Sequence, residues 1–367
     1  MELPANSRLR VANLSAVFTN TTNSYKFYWF LAILDELAET GQPRIAMRSL
    51  ALRMVANVWY PLDYYKLSFG VDDGFKLIAN YVSAHMQVDN RPNAKLLFEQ
   101  LRAGLSGAAL AEVGQKVGGL LRYVPSRFIR PFLKAELGGV PETKIDKRIA
   151  ELSQLSTAAP YRLEREAIEV HPDWLAYLQE HQGILRGFTQ WHLLRFLQKN
   201  NPNVIGLSEK LRRPTAADRN LKTATSYWGS FLAETPDFRC IYSGQPITVA
   251  TLSIDHFLPW SYVAHNQLWN LIPTPKTVNS AKNNSLPDLD LYLGQFVRWQ
   301  AAAFQFHAAQ RHYKLLEEYH LLFAQSVKDI QQQPAAWFEE RLIQQIRPQH
   351  QTARNLGFAY PFRYGGG

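Results

Sequence analysis

Five residues between positions 255 and 282 carry side chains that can do chemistry together: Asp255, His256, Asn270, Asn279 and Lys282. Asp255 offers a hard, anionic oxygen of the kind that Mg²⁺ or Mn²⁺ prefers, and Asn279 adds a neutral amide oxygen. His256 brings an imidazole whose ordinary pKa of about 6.5 leaves it largely uncharged at neutral pH, able to take a proton from water. Hydrolysis of a phosphodiester needs those parts: an activated water, neutralised charge at the phosphate and a stabilised leaving oxygen. Two protein ligands leave most of an octahedral shell open to water and phosphate, as a catalytic ion requires. Lys282 follows Asn279 by three positions, so the two share one face of a helix, joined by Asn283 at i+4. From there Lys282 would point toward the same phosphate.

Positioning these groups calls for a β-hairpin followed by a helix over residues 250–287. Thr251–Phe257 is apolar and β-branched enough for one strand, Leu268–Pro273 suits a second, and Val278 begins a short helix with Pro287 beyond its end. One difficulty follows from strand geometry. Adjacent residues on a flat strand point to opposite faces, so the chain must bend at Asp255–His256, or the strand must end there. Pro259 is consistent with an ending strand.

The spacing within the segment is specific: 14 positions from His256 to Asn270 (270 − 256) and nine from Asn270 to Asn279 (279 − 270). Asp-His, Asn and Asn-x-x-Lys in this order resemble the HNH endonuclease family, also called ββα-metal or His-Me finger nucleases. Within it, the pattern is most similar to the HNH domains of RNA-guided CRISPR effectors and their relatives. The resemblance covers residues 238–288. It implies one Mg²⁺ or Mn²⁺ ion held by Asp255 and Asn279, His256 as general base, and Asn270 fixing the loop by hydrogen bonds. Many HNH proteins frame the hairpin with two Cys-x-x-Cys pairs around a structural zinc. Here Cys240 and Gly244 remain, but Ser243 stands at the second cysteine, and Pro275 and Val278 stand at the later pair. No structural zinc is therefore expected. Phe257, Trp260, Leu268 and Trp269 are expected to hold the hairpin by packing, with Cys240 a small inert residue. His265 reads as a solvent-exposed loop histidine, and Asp288 as the cap of the next helix.

The remainder of the chain reads as mainly helical. Polar cap residues at 19–24 precede Tyr25–Thr40, where Phe27, Phe30, Leu31, Leu34 and Leu37 make one apolar face before Gly41. Weaker helical patterns occupy 45–58, 73–86, 93–103, 108–121, 144–155 and 173–199, the last split near Gly183 or Gly187. Helical periodicity returns over 289–345, with Gln331–Pro334 separating its last two helices and aromatics placed as core contacts. The expected architecture is mainly α. A large helical targeting or regulatory domain spans 1–230, a ββα-metal nuclease module 231–290, and helices packing on it 291–367, with glycines 365–367 a flexible end.

Composition supports a folded protein with an anionic partner. The 367 residues are 46% hydrophobic and 13% aromatic, and the net charge is +9. Basic residues gather between Arg186 and Lys222, including Arg195, Lys199 and Lys210, with Trp191, Phe196, Tyr227 and Trp228 interleaved or close behind. Arg212, Arg213, Arg219, Lys222, Lys276 and Lys282 are the candidate DNA contacts. A single cysteine excludes intramolecular disulfides. The start lacks a signal-peptide pattern, and the longest apolar run, Phe27–Leu34, falls well short of the roughly 20 residues a membrane span needs. A soluble, cytoplasmic chain is expected. Its partners are DNA and, since no Walker motif occurs, an ATPase or other defence-system subunit wherever activation needs one. Two functions remain open: an HNH endonuclease of anti-phage or restriction-type defence, or a nucleic-acid- or partner-binding protein whose module is silent until a partner complex activates it.

Overall fold

The computed structural model describes residues 2–70, 73–85, 94–104 and 107–365. The chain is mainly α, and its backbone gathers into two compact units. One comprises Met1–Pro202 with Leu211–Arg213, the other Asn203–Lys210 with Pro214–Gly367.

The first unit is built around the helix Tyr25–Thr40. Apolar side chains occupy nearly every side of this helix, and it is buried from Tyr25 to Leu37 with only Lys26 and Asp35 half-exposed. It is therefore a central core helix rather than the one-faced helix its spacing predicts. Phe18 closes on Phe27, Phe30, Phe128 and Phe188, with ring centroids 4.8–6.3 Å apart. The one carboxylate buried in this helix, Glu36, is matched by the buried Arg53 at 2.8 Å. Gly41 ends the helix at φ 66°, and its N–H reaches Leu37 O at 3.1 Å. The polar run before the helix does not cap it: Ser24 Oγ donates to Asp73 Oδ2 instead.

The other helical expectations hold with shifted ends. They appear as Met47–Trp59, Phe75–His85, Ala94–Gly104, Gly107–Leu121 and Ile145–Ser153. Positions 86 and 93 lie outside the described residues, as do Gly366 and Gly367 of the expected flexible end. The break in 173–199 falls at His181, between Pro172–Glu180 and Gln182–Asn200, and both candidate glycines sit inside the second helix. At the break, His181 rests edge-on against Tyr177, four residues earlier, and Gln182 Nε2 donates to the distant Leu34 O. A small antiparallel sheet of β1 (Arg44–Ala46), β2 (Tyr161–Leu163) and β3 (Ala167–Val170), in the order β1-β3-β2, has no counterpart in the sequence reading. Strands of three or four residues are too short to print a period-2 pattern.

The second unit contains the hairpin. β4 (Ile254–His256) pairs antiparallel with β5 (Leu271–Pro273), Asp255 opposite Ile272, and the helix Lys276–Lys282 follows. Both strands are shorter than expected, because Val249–Thr251 and Leu268–Asn270 coil into 3₁₀ turns. The helix starts two residues early, directly after Pro275. Phe257, Trp260, Leu268 and Trp269 are buried, as expected of the packing that holds the hairpin. Phe257 stacks on Phe296 of the helix Leu289–Ala309 at 4.0 Å. From the same helix, buried Gln300 donates to Leu268 O and Leu271 O at 3.1 and 2.7 Å and accepts from Tyr319 Oη. Phe296, Phe304 and Tyr319 lie in this core, as their periodicity suggests. Asp288 caps the helix by accepting from Asp290 N at 3.0 Å. The last two helices, Val327–Gln332 and Ala335–Asn355, part at Gln333–Pro334, and the second runs ten residues past 345 (355 − 345).

Candidate active site

The strand ends just after the pair Asp255–His256, not within it, and both residues are paired in β4. β4 stops at His256, Phe257–Leu258 bends away, and the two neighbouring side chains reach different partners. Asp255 faces the helix Lys276–Lys282. Its carboxylate receives Lys282 Nζ at 3.2 Å on Oδ1 and 3.1 Å on Oδ2, and Tyr242 Oη donates to Oδ2 at 3.0 Å. Lys282 Nζ also donates to His256 O at 2.6 Å. Asn279, one turn earlier, turns its Nδ2 to Ile254 O at 2.9 Å and Ser253 Oγ at 3.4 Å. Asn279 and Lys282 thus share the helical face predicted for them, and that face lies on β4. Asn283 does not join it. With φ 47° and ψ −125° it leaves the helix at the C-cap.

Asn270 is fully buried and clamps the chain beyond β4. Its Oδ1 accepts from Leu258 N at 2.8 Å, its Nδ2 donates to Leu258 O at 2.9 Å, and its own carbonyl accepts from Phe257 N. His256 points the other way from Asp255. Its Nε2 lies 3.0 Å from Asn266 Oδ1 in the loop between the strands.

Burial sets the electrostatics. It pushes the His256 imidazole down to about 3, helped by Lys282, Arg219 and His265 and opposed by the hydrogen bond to Asn266, so the ring is neutral at physiological pH. Burial also raises Asp255 and lowers Lys282, and their mutual attraction opposes both shifts. The same desolvation raises Tyr242 well above the ordinary phenol range, with Asp255 adding to it.

Several expectations change. Lys282 is fully buried on Asp255 rather than presented to solvent. Lys210, counted in the basic stretch, is also fully buried. Its Nζ donates to Tyr262 O, and desolvation lowers it to about 7. Arg186 is spent on Asp35 at 2.6 Å. Tyr227 and Trp228 belong to the core, and Phe196 is buried, whereas Trp191 is 47% exposed. His265 is half-buried, accepts from Gln267 N and is lowered to about 4 by that burial, with Lys210 contributing. Arg212, Arg213, Arg219, Lys222 and Lys276 are exposed, and the Arg219 guanidinium lies 5.2 Å above the Trp260 ring.

Two residues that shape the site escaped the sequence. Tyr242 sits thirteen positions before Asp255, and Asn266 belongs to a loop without regular spacing. Nothing local marks either; only the folded chain brings them in. Among the described residues, no group of three His, Cys, Asp or Glu side chains could hold a metal. The two candidate donors suit a hard ion in kind, although Lys282 sits on both oxygens of Asp255. Asp255 is a carboxylate, and Asn279 commits its nitrogen to Ile254 O, which leaves its oxygen as the donor for a cation.

A family model described as HNH endonuclease matches residues 240–288. That stretch is an HNH domain. The match ends at its borders, and the helical N-terminal region carries none. No curated protein and no solved structure matches the chain. An HNH domain points to metal-dependent nuclease activity on a nucleic-acid substrate. The HNH hairpin lies wholly within the second unit, together with the helices that bury it. No helix among the described residues is long and apolar enough to cross a membrane.

Proposed function

We propose that the chain is an HNH endonuclease hydrolysing DNA phosphodiester bonds, with His256 as general base and one Mg²⁺ or Mn²⁺ held by Asp255 and Asn279. The observation that supports this most is the gathering of Asp255, Asn279, Lys282 and the His256 backbone along β4, with a neutral imidazole on the residue next to Asp255. When bound, the ion supplies Lewis-acid stabilisation of charge on the phosphate. His256 takes the proton of the attacking water as its oxygen bonds to phosphorus and the bond to the leaving oxygen breaks. Asn270 keeps the imidazole's backbone in place by clamping Leu258. Arg219, Lys222 and Lys276, all exposed, offer charge to the DNA backbone.

The test is cleavage of supercoiled plasmid in Mg²⁺ or Mn²⁺. His256→Ala should lower the rate by about 10²–10⁴-fold while DNA binding and the thermal melt stay as in the wild type. Undiminished cleavage by that variant would sink the assignment. A second function is favoured by one observation, the fully buried Lys282 seated on both oxygens of Asp255. It suits a module that stays silent until a partner complex opens it. Shifted DNA in a gel with no cleavage in either metal would favour this alternative. By analogy, the joining of an HNH module to a large helical region supports a role in bacterial anti-phage or restriction-type defence. Cells carrying the chain should resist phage better than cells carrying His256→Ala.

A further inference from the structure

We propose that Asn266 is a positioning residue for His256, keeping the imidazole proton on Nε2 so that Nδ1 is the nitrogen that receives the proton of water. This rests on His256 being the general base. Hydrogen-bond bookkeeping around one amide carries it. Asn266 Nδ2 lies 2.8 Å from Asp218 O and 3.3 Å from Asn220 O. Carbonyl oxygens only accept, so the nitrogen end of the amide must face them. The oxygen end then faces His256 Nε2 at 3.0 Å. An amide oxygen also only accepts, so Nε2 must carry the proton in the neutral ring. Nδ1 makes no hydrogen bond to any described residue.

The support of that amide lies outside the HNH match, in the turn before the helix Lys222–Ala233. Asp218 Oδ2 accepts from Thr215 N and Oγ1 at 2.6 and 2.7 Å, Asn220 N donates to Ala217 O, and Asn220 Oδ1 accepts from Lys222 N. The two carbonyls that hold Asn266 are therefore themselves fixed. Between them stands exposed Arg219, laid over Trp260. One turn thus carries both a candidate phosphate contact and the foundation of the base.

The experiment uses the full chain and supercoiled plasmid with saturating Mn²⁺. Asn266→Ala should lower kcat by about 10–100-fold, with KM for DNA within about twofold of wild type. In ¹⁵N-histidine NMR of the wild type, the His256 proton should appear on Nε2, protected from exchange, and lose that protection in Asn266→Ala. A wild-type proton on Nδ1 overturns the inference even if the variants fail to fold. So does wild-type kcat in Asn266→Ala when His256→Ala is inactive. Full activity in His256→Ala overturns the base assignment itself, and with it the role given to Asn266.

Discussion

An ammonium withdrawn from water needs a counter-charge, and Lys282 finds it in Asp255, itself 3% exposed. Removing one partner of such a pair leaves a buried charge uncompensated. Lys282→Met should therefore cost about 3–5 kcal/mol by urea unfolding. Adding Asp255→Asn should return part of it, so the double variant loses less than the two singles summed; strict additivity would mean the pair is not coupled. The same carboxylate gives a metal test without catalysis. Mn²⁺ should raise the melting temperature of the wild type and leave that of Asp255→Ala unmoved, because only a ligand bound to the folded state stabilises it. Asp255, Asn279 and Lys282 were legible because their relation is local. One short strand and one helical turn carry them together, and sequence spacing encodes that directly. Tyr242 and Asn266 were not legible, since each reaches the site through a loop whose path depends on the whole unit.

At the scale of elements, the hairpin was readable in kind and misread in length. Alternation and β-branching mark where strands belong, but only pairing decides how far they run, and here each keeps three residues. The turn after β4 depends on Asn270, whose amide serves both polar groups of Leu258. Asn270→Ala would orphan a buried N–H and a buried C=O, and should destabilise the fold by about 2 kcal/mol or more, read by chemical unfolding. Lys210 makes a pH test of the turn around Tyr262. Its folded pKa of about 7 lies below the ordinary 10.5, so between those values the unfolded chain binds more protons and stability rises with pH. Lys210→Met should show a shallower rise from pH 7 to pH 9 than the wild type. Equal slopes would mean that the buried ammonium is not what titrates.

Across the whole molecule, helical periodicity conveyed the mainly α class, while the three-stranded sheet depends on the pairing of β1 with the distant β3, which no local window contains. Charge conveyed an anionic partner but not which cations face it, since Lys210, Arg186 and Lys282 are spent internally. The exposed set should govern DNA affinity. Neutralising Arg219, Lys222 and Lys276 together should weaken binding uniformly across sequences and flatten its logarithmic salt dependence by about 0.9 for each lost phosphate contact, as measured by fluorescence anisotropy. Exchanging Lys282 should leave that slope unchanged. Gln300 and Phe296 carry a final consequence. They tie the hairpin to the helix Leu289–Ala309 through two backbone carbonyls and one stacked ring. A hairpin tied in this way does not travel as a cassette. Engineering that transplants residues 240–288 alone would leave behind the wall that keeps the hairpin in shape, so a transferable piece has to extend at least through the helix Leu289–Ala309.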